Sequence, residues 1–472
     1  HMTTAIIWFR RDLRLADNPA LDHACTHHDA VIPVYIDDDA SHEQRYGEAS
    51  RTWLHHSLKA LGEDLRARGS RLLLFQGEAM PILEQLLDQS GADAVYWNRC
   101  YEPEAIERDR IIKETLKSRN ITVDSFNASL LYEPWDVLKP DNTPYRVFTP
   151  FWKSVCQLGL QQSAPLDEPD ELPKPKRWPT SSTLKQLDLL PRLPWHKAMM
   201  KHWQIGEAAA HASLSVFLEQ YVSAYKAERD MPAIKATSHL SPHLHFGEIS
   251  PRQIIWQTLA MSSSGGEQIG EATFLKEVGW REFAYYMLYH FPHTLTKPMN
   301  PQFEKFPWSK LDKNHLTAWQ KGLTGVPIID AGMRELWATG WMHNRVRMIV
   351  ASYLTKNLLI HWREGEHWFR DTLVDADIAS NVFGWQWTAG SGADAAPYFR
   401  IFNPVLQGEK FDKQGEYVRH WVAELKNCPD KFIHKPWEAP EDIRNQLDYP
   451  QPIVDLKATR ERALDSYKQI KK

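Results

Sequence analysis

Between residues 337 and 404 the chain collects side chains that make a poor hydrophobic core and a good polar site. Trp337, Trp341, Asn344 and Met348 recur at i, i+4, i+7 and i+11, with Arg347 three places after Asn344. On a helix, two indoles, an amide, a guanidinium and a thioether would share one face. A face made only for packing would carry Leu, Ile and Val, because an unpartnered buried amide or guanidinium costs a few kcal/mol. Asp375 and Asp377 follow two apart, then Asn381, Trp385 and Trp387, with glycines at 384, 390 and 392. An ionised Asp only accepts hydrogen bonds, so these carboxylates are partners for Arg347 or for the imide N–H of a bound ring. Taken one at a time, each residue fits a capped, salt-bridged core rich in Trp. As a set they ask for something polar to meet them.

Two further groups have chemistry in their spacing. In FLKEVGWREFAYY, Glu277, Trp280 and Arg281 lie at i, i+3 and i+4. Glu277 and Arg281 either pair with each other on an exposed helix or, with Trp280, offer an acceptor, a cation and a stacking plane to an extruded base. The segment from Tyr225 to Ser250 carries Thr237, Ser238 and Ser241 beside Pro242, a helix-start pattern whose hydroxyls and N–H groups serve either as an ordinary cap or as a phosphate seat. Arg229, Arg345, Arg400 and Lys410 would make a local phosphate-binding rim or are scattered surface cations.

The elements that must position these groups fall into two classes. Strand-like runs at 5–9, 31–36, 72–75, 94–97 and 121–126 alternate with helical patterns at 53–68, 79–89 and 103–119. That order predicts an α/β amino-terminal domain with a doubly wound parallel sheet over residues 2–130. No G-x-G-x-x-G or Walker loop follows any of these strands. Arg10, Arg11, Asp12 and Arg14 after the first strand either line a ligand crevice or form a solvated charged turn. Residues 131–202 read as a connector, with seven prolines between 159 and 200. From 203 to 472 strand signals nearly vanish, and a large all-α carboxy-terminal domain is expected.

Composition bounds the answer without choosing it. With 472 residues, 43% hydrophobic and 25% charged, the chain suits a globular protein of at least two domains. A net charge of −4 supplies no global attraction to nucleic acid, so any contact with DNA rests on a local patch. Cys25, Cys100, Cys156 and Cys428 lie far apart, which argues against a zinc site or disulfide framework and fits a reducing cytoplasm. No apolar run reaches membrane-spanning length, and His1 before Met2 reads as a tag remnant. Twenty Trp residues serve packing, stacking or electron transfer, and composition does not separate these.

WMHNRVRM, DADIASN, GWQW and TAGSGADAAPYFRIFNP closely resemble the flavin domain of the DNA photolyase and cryptochrome family, specifically its class I cyclobutane pyrimidine dimer photolyases. WFRRDLRLADNPAL resembles the family's amino-terminal signature. The resemblance implies an FAD, reduced in the active form, with its diphosphate held at Tyr225, Thr237, Ser238, Leu240 and Ser241. It implies that Arg347 and Asp375 pair near the reactive edge of the isoalloxazine, that Asp377 binds the imide side and that Asn381 faces a ring nitrogen. Arg281, Trp341, Asn344 and Phe274 complete the expected flavin contacts, Phe274 standing where some relatives have Trp.

Toward DNA, the resemblance implies that Glu277 faces the damaged pyrimidines, that Trp280 stacks on them, and that Arg229, Arg345, Met348 and Trp387 contact the substrate. Glu277, Asn344, Met348 and Asn381 would be the catalytic set, and Trp385, Trp362 and Trp308 an electron relay. Enzymes that repair the (6-4) lesion carry His where this chain has Asn344 and Met348, and many cryptochromes carry Asp or Cys at the place of Asn381. The implied reaction is light-driven electron donation to a flipped-out cyclobutane dimer of UV-damaged DNA, ring splitting and return of the electron, making the chain a carbon–carbon lyase. A cryptochrome-type blue-light sensor is the alternative, against which stands the lack of a long polar tail. Residues 96–109 resemble the folate-contacting region of some relatives, although Glu104 and Ala105 depart from their Asn-Glu pair. A methenyltetrahydrofolate antenna is expected first, 8-hydroxy-5-deazaflavin second and none third. A monomer in the cytoplasm is expected, with no membrane or obligate protein partner, joining the nucleoid when bound to DNA.

Overall fold

A computed structural model describes residues 2–39, 42, 44–261, 269–395, 398 and 400–471. By its packing the chain forms two compact units that interleave along the sequence. One comprises His1–His196, Trp203–Ser223 and Ser238–Pro292; the other comprises Lys197–His202, Ala224–Thr237 and His293–Lys472.

The first unit holds the expected doubly wound sheet. Strands β1 (Thr4–Phe9), β2 (Ala30–Asp37), β3 (Leu73–Gln76), β4 (Ala94–Asn98) and β5 (Thr122–Phe126) are all parallel, in the order β3-β2-β1-β4-β5. β2 is buried along its whole length, as a central strand covered on both faces should be. The crossovers run through α1 (Pro19–His27), α2 (Glu48–Ala67), α3 (Ala79–Ser90) and α4 (Pro103–Ser118). Asn18 starts α1 by accepting from the Leu21 N–H, and Gly91, at φ 66°, ends α3 in the left-handed region that favours glycine. The Pro-rich stretch after residue 159 packs as part of this unit: Val31 N donates to Pro173 O, Ser182 N donates to Leu74 O, and Leu172 and Leu187 are buried.

The charged turn after β1 is not solvated. Arg10 forms a fork to Asp109 at 3.2 and 2.5 Å and lies over Trp8 and Trp97, while Asn98 donates to Asp12 at 2.6 Å. Arg14 is 1% exposed, and its three nitrogens donate to the carbonyls of Ala16, Asp17, Gly247 and Ala128. Gly247 adopts φ 68°, and a Cβ there would lie 1.9 Å from Arg11 O, so the chain docks at a place only glycine fits. Two helices of this unit recur below: α5 (Phe148–Leu158) and the long α7 (Ile269–His290), with the five-residue α6 (Ser241–His245) between them in sequence.

The second unit is helical, as expected of the carboxy-terminal region. Its relevant helices are α8 (Pro327–Thr339), α9 (Asn344–Ser352), α10 (Trp362–Thr372) and α11 (Ile378–Ala389). The single helical face drawn through Trp337, Trp341, Asn344 and Met348 does not exist. Gly340, at φ 74°, ends α8, and His343 starts α9 by accepting from the Arg345 N–H. Trp337 therefore sits on α8, 55% exposed and stacked on Trp368, while Asn344 opens the next helix. After α9 the backbone widens into a π-helical turn, Tyr353–Asn357, whose five residues are all buried.

Candidate functional site

In the second unit, the break at residues 340–343 gathers the polar set. Gly340 O accepts from Val374 N at 2.8 Å, which brings the segment before Asp375 beside the link. Arg347, on α9, then donates from both Nη atoms to Asp375 at 3.0 and 2.7 Å and from Nε to Met342 O at 2.6 Å, with its guanidinium over Trp341 at 5.8 Å. Asp375 is the buried member of the pair and Arg347 the half-buried one. Asp377 caps α11 by accepting from Ser380 N at 2.8 Å. Thus the sequence's carboxylate partner for Arg347 is Asp375, while Asp377 has a helix start to hold.

One turn into α11, the Asn381 amide nitrogen donates to Glu366 O at 3.1 Å and to Glu366 Oε2 at 3.2 Å. Glu366 is in turn held by Arg370 one helical turn along α10. With its amide nitrogen committed to Glu366, the remaining function of Asn381 is its carbonyl oxygen, an acceptor whose orientation is fixed. Trp385 lies on the next turn, 2% exposed, and its ring occupies the space where a Cβ on Gly365 would stand, 2.1 Å from the ring edge. Its Nε1–H is buried with no hydrogen-bond partner among the described residues. Such an orphaned donor is costly unless something outside the chain accepts it.

The link itself is supported from behind. Glu335 Oε1 accepts from His343 N at 3.1 Å and from the Tyr417 hydroxyl at 2.9 Å. Burial pushes the Glu335 carboxyl up to about 7. Neither Glu335, Glu366 nor Tyr417 was marked by sequence reasoning. Their carboxylates and hydroxyl occur in unremarkable helical sequence, and only the tertiary contacts distinguish them.

The three tryptophans of the expected relay follow a gradient of exposure. Trp385 and Trp362 are buried at 2% and 1%, and Trp308 is half-buried. His361 stands between the last two, 4.9 Å from Trp308 and 5.5 Å from Trp362 by ring centroids. Trp362 is one turn from Gly365, against which Trp385 packs.

Of the basic residues, Arg345 and Lys410 converge on one ring, their cationic groups 4.5 and 5.2 Å from the centroid of Phe411. Arg345 also pairs with Asp230 at 3.2 Å. Arg229 lies over Tyr225 at 5.4 Å. Arg400 is exposed, and Asn344 and Met348 are exposed and half-buried on α9. Trp387, half-buried, donates from Nε1 to Asp394 O at 2.8 Å. In this same unit lie Tyr225, buried, and Thr237, half-buried.

The first unit carries the rest. Ser238 Oγ accepts from Leu240 N at 3.3 Å, Leu240 is buried and Ser241 is exposed at the start of α6. A five-residue helix has only a small dipole, so a phosphate there would depend on hydroxyls and N–H groups. On α7, Phe274 is buried against Phe217 at 4.6 Å, Arg281 donates to Ser129 O at 2.7 Å and lies over Tyr285, and Glu277 and Trp280 are half-buried.

Comparison with known proteins then decides the family. The chain is 49% identical to a deoxyribodipyrimidine photo-lyase of Agrobacterium fabrum over 99% of its own length and 98% of the relative's. This chain belongs to the DNA photolyase and cryptochrome family. Residues 5–175 match the family model described as DNA photolyase, and residues 274–469 match the one described as FAD binding domain of DNA photolyase. A crystal structure of a bacterial class III photolyase from Agrobacterium tumefaciens aligns with a TM-score of 0.96 at 48% identity, covering 100% of this chain and 98% of that one. Cryptochrome-2 of Arabidopsis thaliana is 38% identical over 97% of this chain and 77% of the relative.

The photolyase-type FAD-binding domain is thus present, and its residues suit the group. The Arg347 fork, the Asp375 and Asp377 carboxylates, the fixed acceptor of Asn381 and the orphaned N–H of Trp385 make a donor and acceptor set fit for a heteroaromatic ring bearing both amide and imide functions.

Proposed function

We propose that this chain repairs cyclobutane pyrimidine dimers in DNA under blue light, as a deoxyribodipyrimidine photo-lyase. The observation that carries the reading is Asn381, whose amide is locked by Glu366 and so presents a neutral acceptor in one orientation. Bound reduced FAD supplies the light-driven electron. Every other task falls to the chain. Arg347, Asp375, Asp377, Asn381, Asn344, Trp341, Phe274 and Arg281 hold and orient the ring, and Tyr225, Thr237, Ser238, Leu240 and Ser241 hold the diphosphate. Arg229, Arg345 and Lys410 bind backbone phosphates, giving affinity that falls with salt and has little sequence preference.

A distorted lesion costs less to flip than a paired base, which supplies part of the selectivity. Trp280 and Trp387 then offer stacking planes, Glu277 accepts hydrogen bonds from the dimer's N–H groups, and Met348 packs beside it. Trp308, Trp362 and Trp385 would carry electrons inward from a reductant in solution, which would keep a bound flavin in its reduced form. The motifs imply the class I subdivision; a solved relative aligned over 98% of its chain at 48% identity is described as class III, and we take class III as this chain's subdivision. For the antenna, the resemblance of residues 96–109 to the folate-contacting region of some relatives supports a folate as our first choice, with Glu104 and Ala105 departing from their Asn-Glu pair.

Anaerobically reduced protein mixed with an oligonucleotide bearing one thymine dimer should restore the base absorbance under blue light and leave it unchanged in the dark. A flavin whose spectrum responds to light without any recovery of base absorbance would overturn repair and leave a photosensor of the cryptochrome type.

A further inference from the structure

We propose that Phe148 is a positioning residue for the lesion, the inner support of a stack of rings whose outer member is Trp280. The inference rests on the reading of Trp280 as the plane on which a flipped pyrimidine lies. Phe148 opens α5 and Trp152 follows one turn later, so both rings leave the same helix face. Phe148 lies 3.9 Å from Trp280 with 8° between the planes, and 6.2 Å from Trp152 with 12° between them. Three rings from two helices are therefore almost parallel. Phe283 meets Phe148 and Trp280 edge-on, at 76° and 75°, which keeps the pair from sliding as a unit.

Gly279 makes the arrangement possible. A Cβ at that position would stand 2.6 Å from the Trp152 ring, so any larger residue would push α5 and α7 apart beneath the stack. Phe148 and Trp152 are 5% and 8% exposed, whereas Trp280 is half-buried. The two inner rings thus belong to the core, and the third reaches the surface with its plane already set. An indole held only by its own rotamer preferences would lose that freedom when a base stacked on it. Phe148 removes this cost before DNA arrives. It also sets the tilt at which a base can be received, so an undamaged duplex, which presents no flipped base, gains nothing from it.

The test is the dissociation constant of the FAD-loaded protein, in the dark, for a duplex bearing one thymine dimer and for the same duplex undamaged. Phe148→Leu keeps the bulk and removes the plane. It should weaken the preference for the dimer about 2- to 12-fold, the range an aromatic pair contributes, with undamaged binding and flavin absorbance unchanged. Phe148→Tyr should restore the preference, and Gly279→Ala, which disturbs Trp152 from below, should reduce it. In a Trp280→Ala background Phe148→Leu should have no further effect. A wild-type preference in F148L, or the same loss with and without Trp280, would overturn the role of Phe148. If W280A alone keeps the full preference, the base-stacking reading of Trp280 fails, and the support proposed for it fails with it.

Discussion

Arg14 and Arg347 are two arginines held in folded structure by several hydrogen bonds each, and they differ in who supplies the acceptors. Arg14 in the first unit is 1% exposed and spends its guanidinium on four main-chain carbonyls from three separate segments. Arg347 in the second unit is half-buried and faces one ionised side chain, Asp375, with a single carbonyl besides. A guanidinium matched entirely by backbone has no capacity left and acts as a staple. One matched by a carboxylate, in the same unit as the fixed acceptor of Asn381 and the orphaned N–H of Trp385, belongs to a set left incomplete by the chain itself. The lesson is that burial and charge do not mark a ligand site; leftover hydrogen-bonding capacity does.

The largest effect should come from breaking the staple. Arg14→Met strands four carbonyl acceptors and should cost at least about 4 kcal/mol, roughly 1 for each, read as a shift in the urea midpoint, while the flavin content of the protein that remains folded stays normal. A loss of flavin without a loss of stability would refute the division drawn between the two arginines.

Next in size is a pH effect behind the incomplete set. Burial raises the Glu335 carboxyl from the usual carboxylate range to about 7, against the donors His343 N–H and Tyr417 Oη–H and the charge of Arg347. A carboxyl whose folded pKa is raised binds its proton more tightly when folded. Its contribution is therefore intact below pH 4.5 and is lost as the pH rises toward 7, by up to about 3 kcal/mol. Glu335→Gln keeps an oxygen for the same two donors and has no proton to lose. The stability of wild type relative to E335Q should fall over that window, and a flat difference curve would show that the carboxyl titrates normally.

Asp375→Asn removes the charge that Arg347 faces and should cost about 2 kcal/mol, the worth of hydrogen bonds to a charged group. Unlike R14M, it should lower the ratio of bound flavin to folded protein. Smallest in stability is Trp362→Phe, which keeps an aromatic ring but not the indole's full volume and should cost about 1 kcal/mol, the low end for a large-to-small core change. It should slow the light-driven reduction of oxidised flavin at least tenfold in a flash-photolysis trace. An unchanged rate would remove Trp362 from the relay and leave the tryptophans as packing.

Much of this was legible from residue order alone. Alternation of short strand-like runs with helical patterns is enough to place five parallel strands, because strand and helix periods are local and crossover handedness leaves little choice. The motifs around Arg347, Asp375 and Asn381 likewise declare their chemistry, since the residue types are wrong for a plain core. What order could not supply was where a helix stops and which distant groups meet. Gly340 breaks the face drawn through Trp337 and Asn344, yet a lone glycine within a helical pattern is also tolerated, and only the docking of Val374 N on Gly340 O decides the matter. Arg14 reads as a solvated turn until Gly247, more than two hundred residues away, delivers a carbonyl to it. Glu366 locking Asn381, Glu335 beneath His343 and Phe148 behind Trp280 are of the same kind. Local sequence determines periodicity and the inventory of donors, acceptors and rings. Which of them are satisfied within the protein and which are left over for a ligand is decided by contacts between segments far apart in the chain, and those exist only once the tertiary structure has formed.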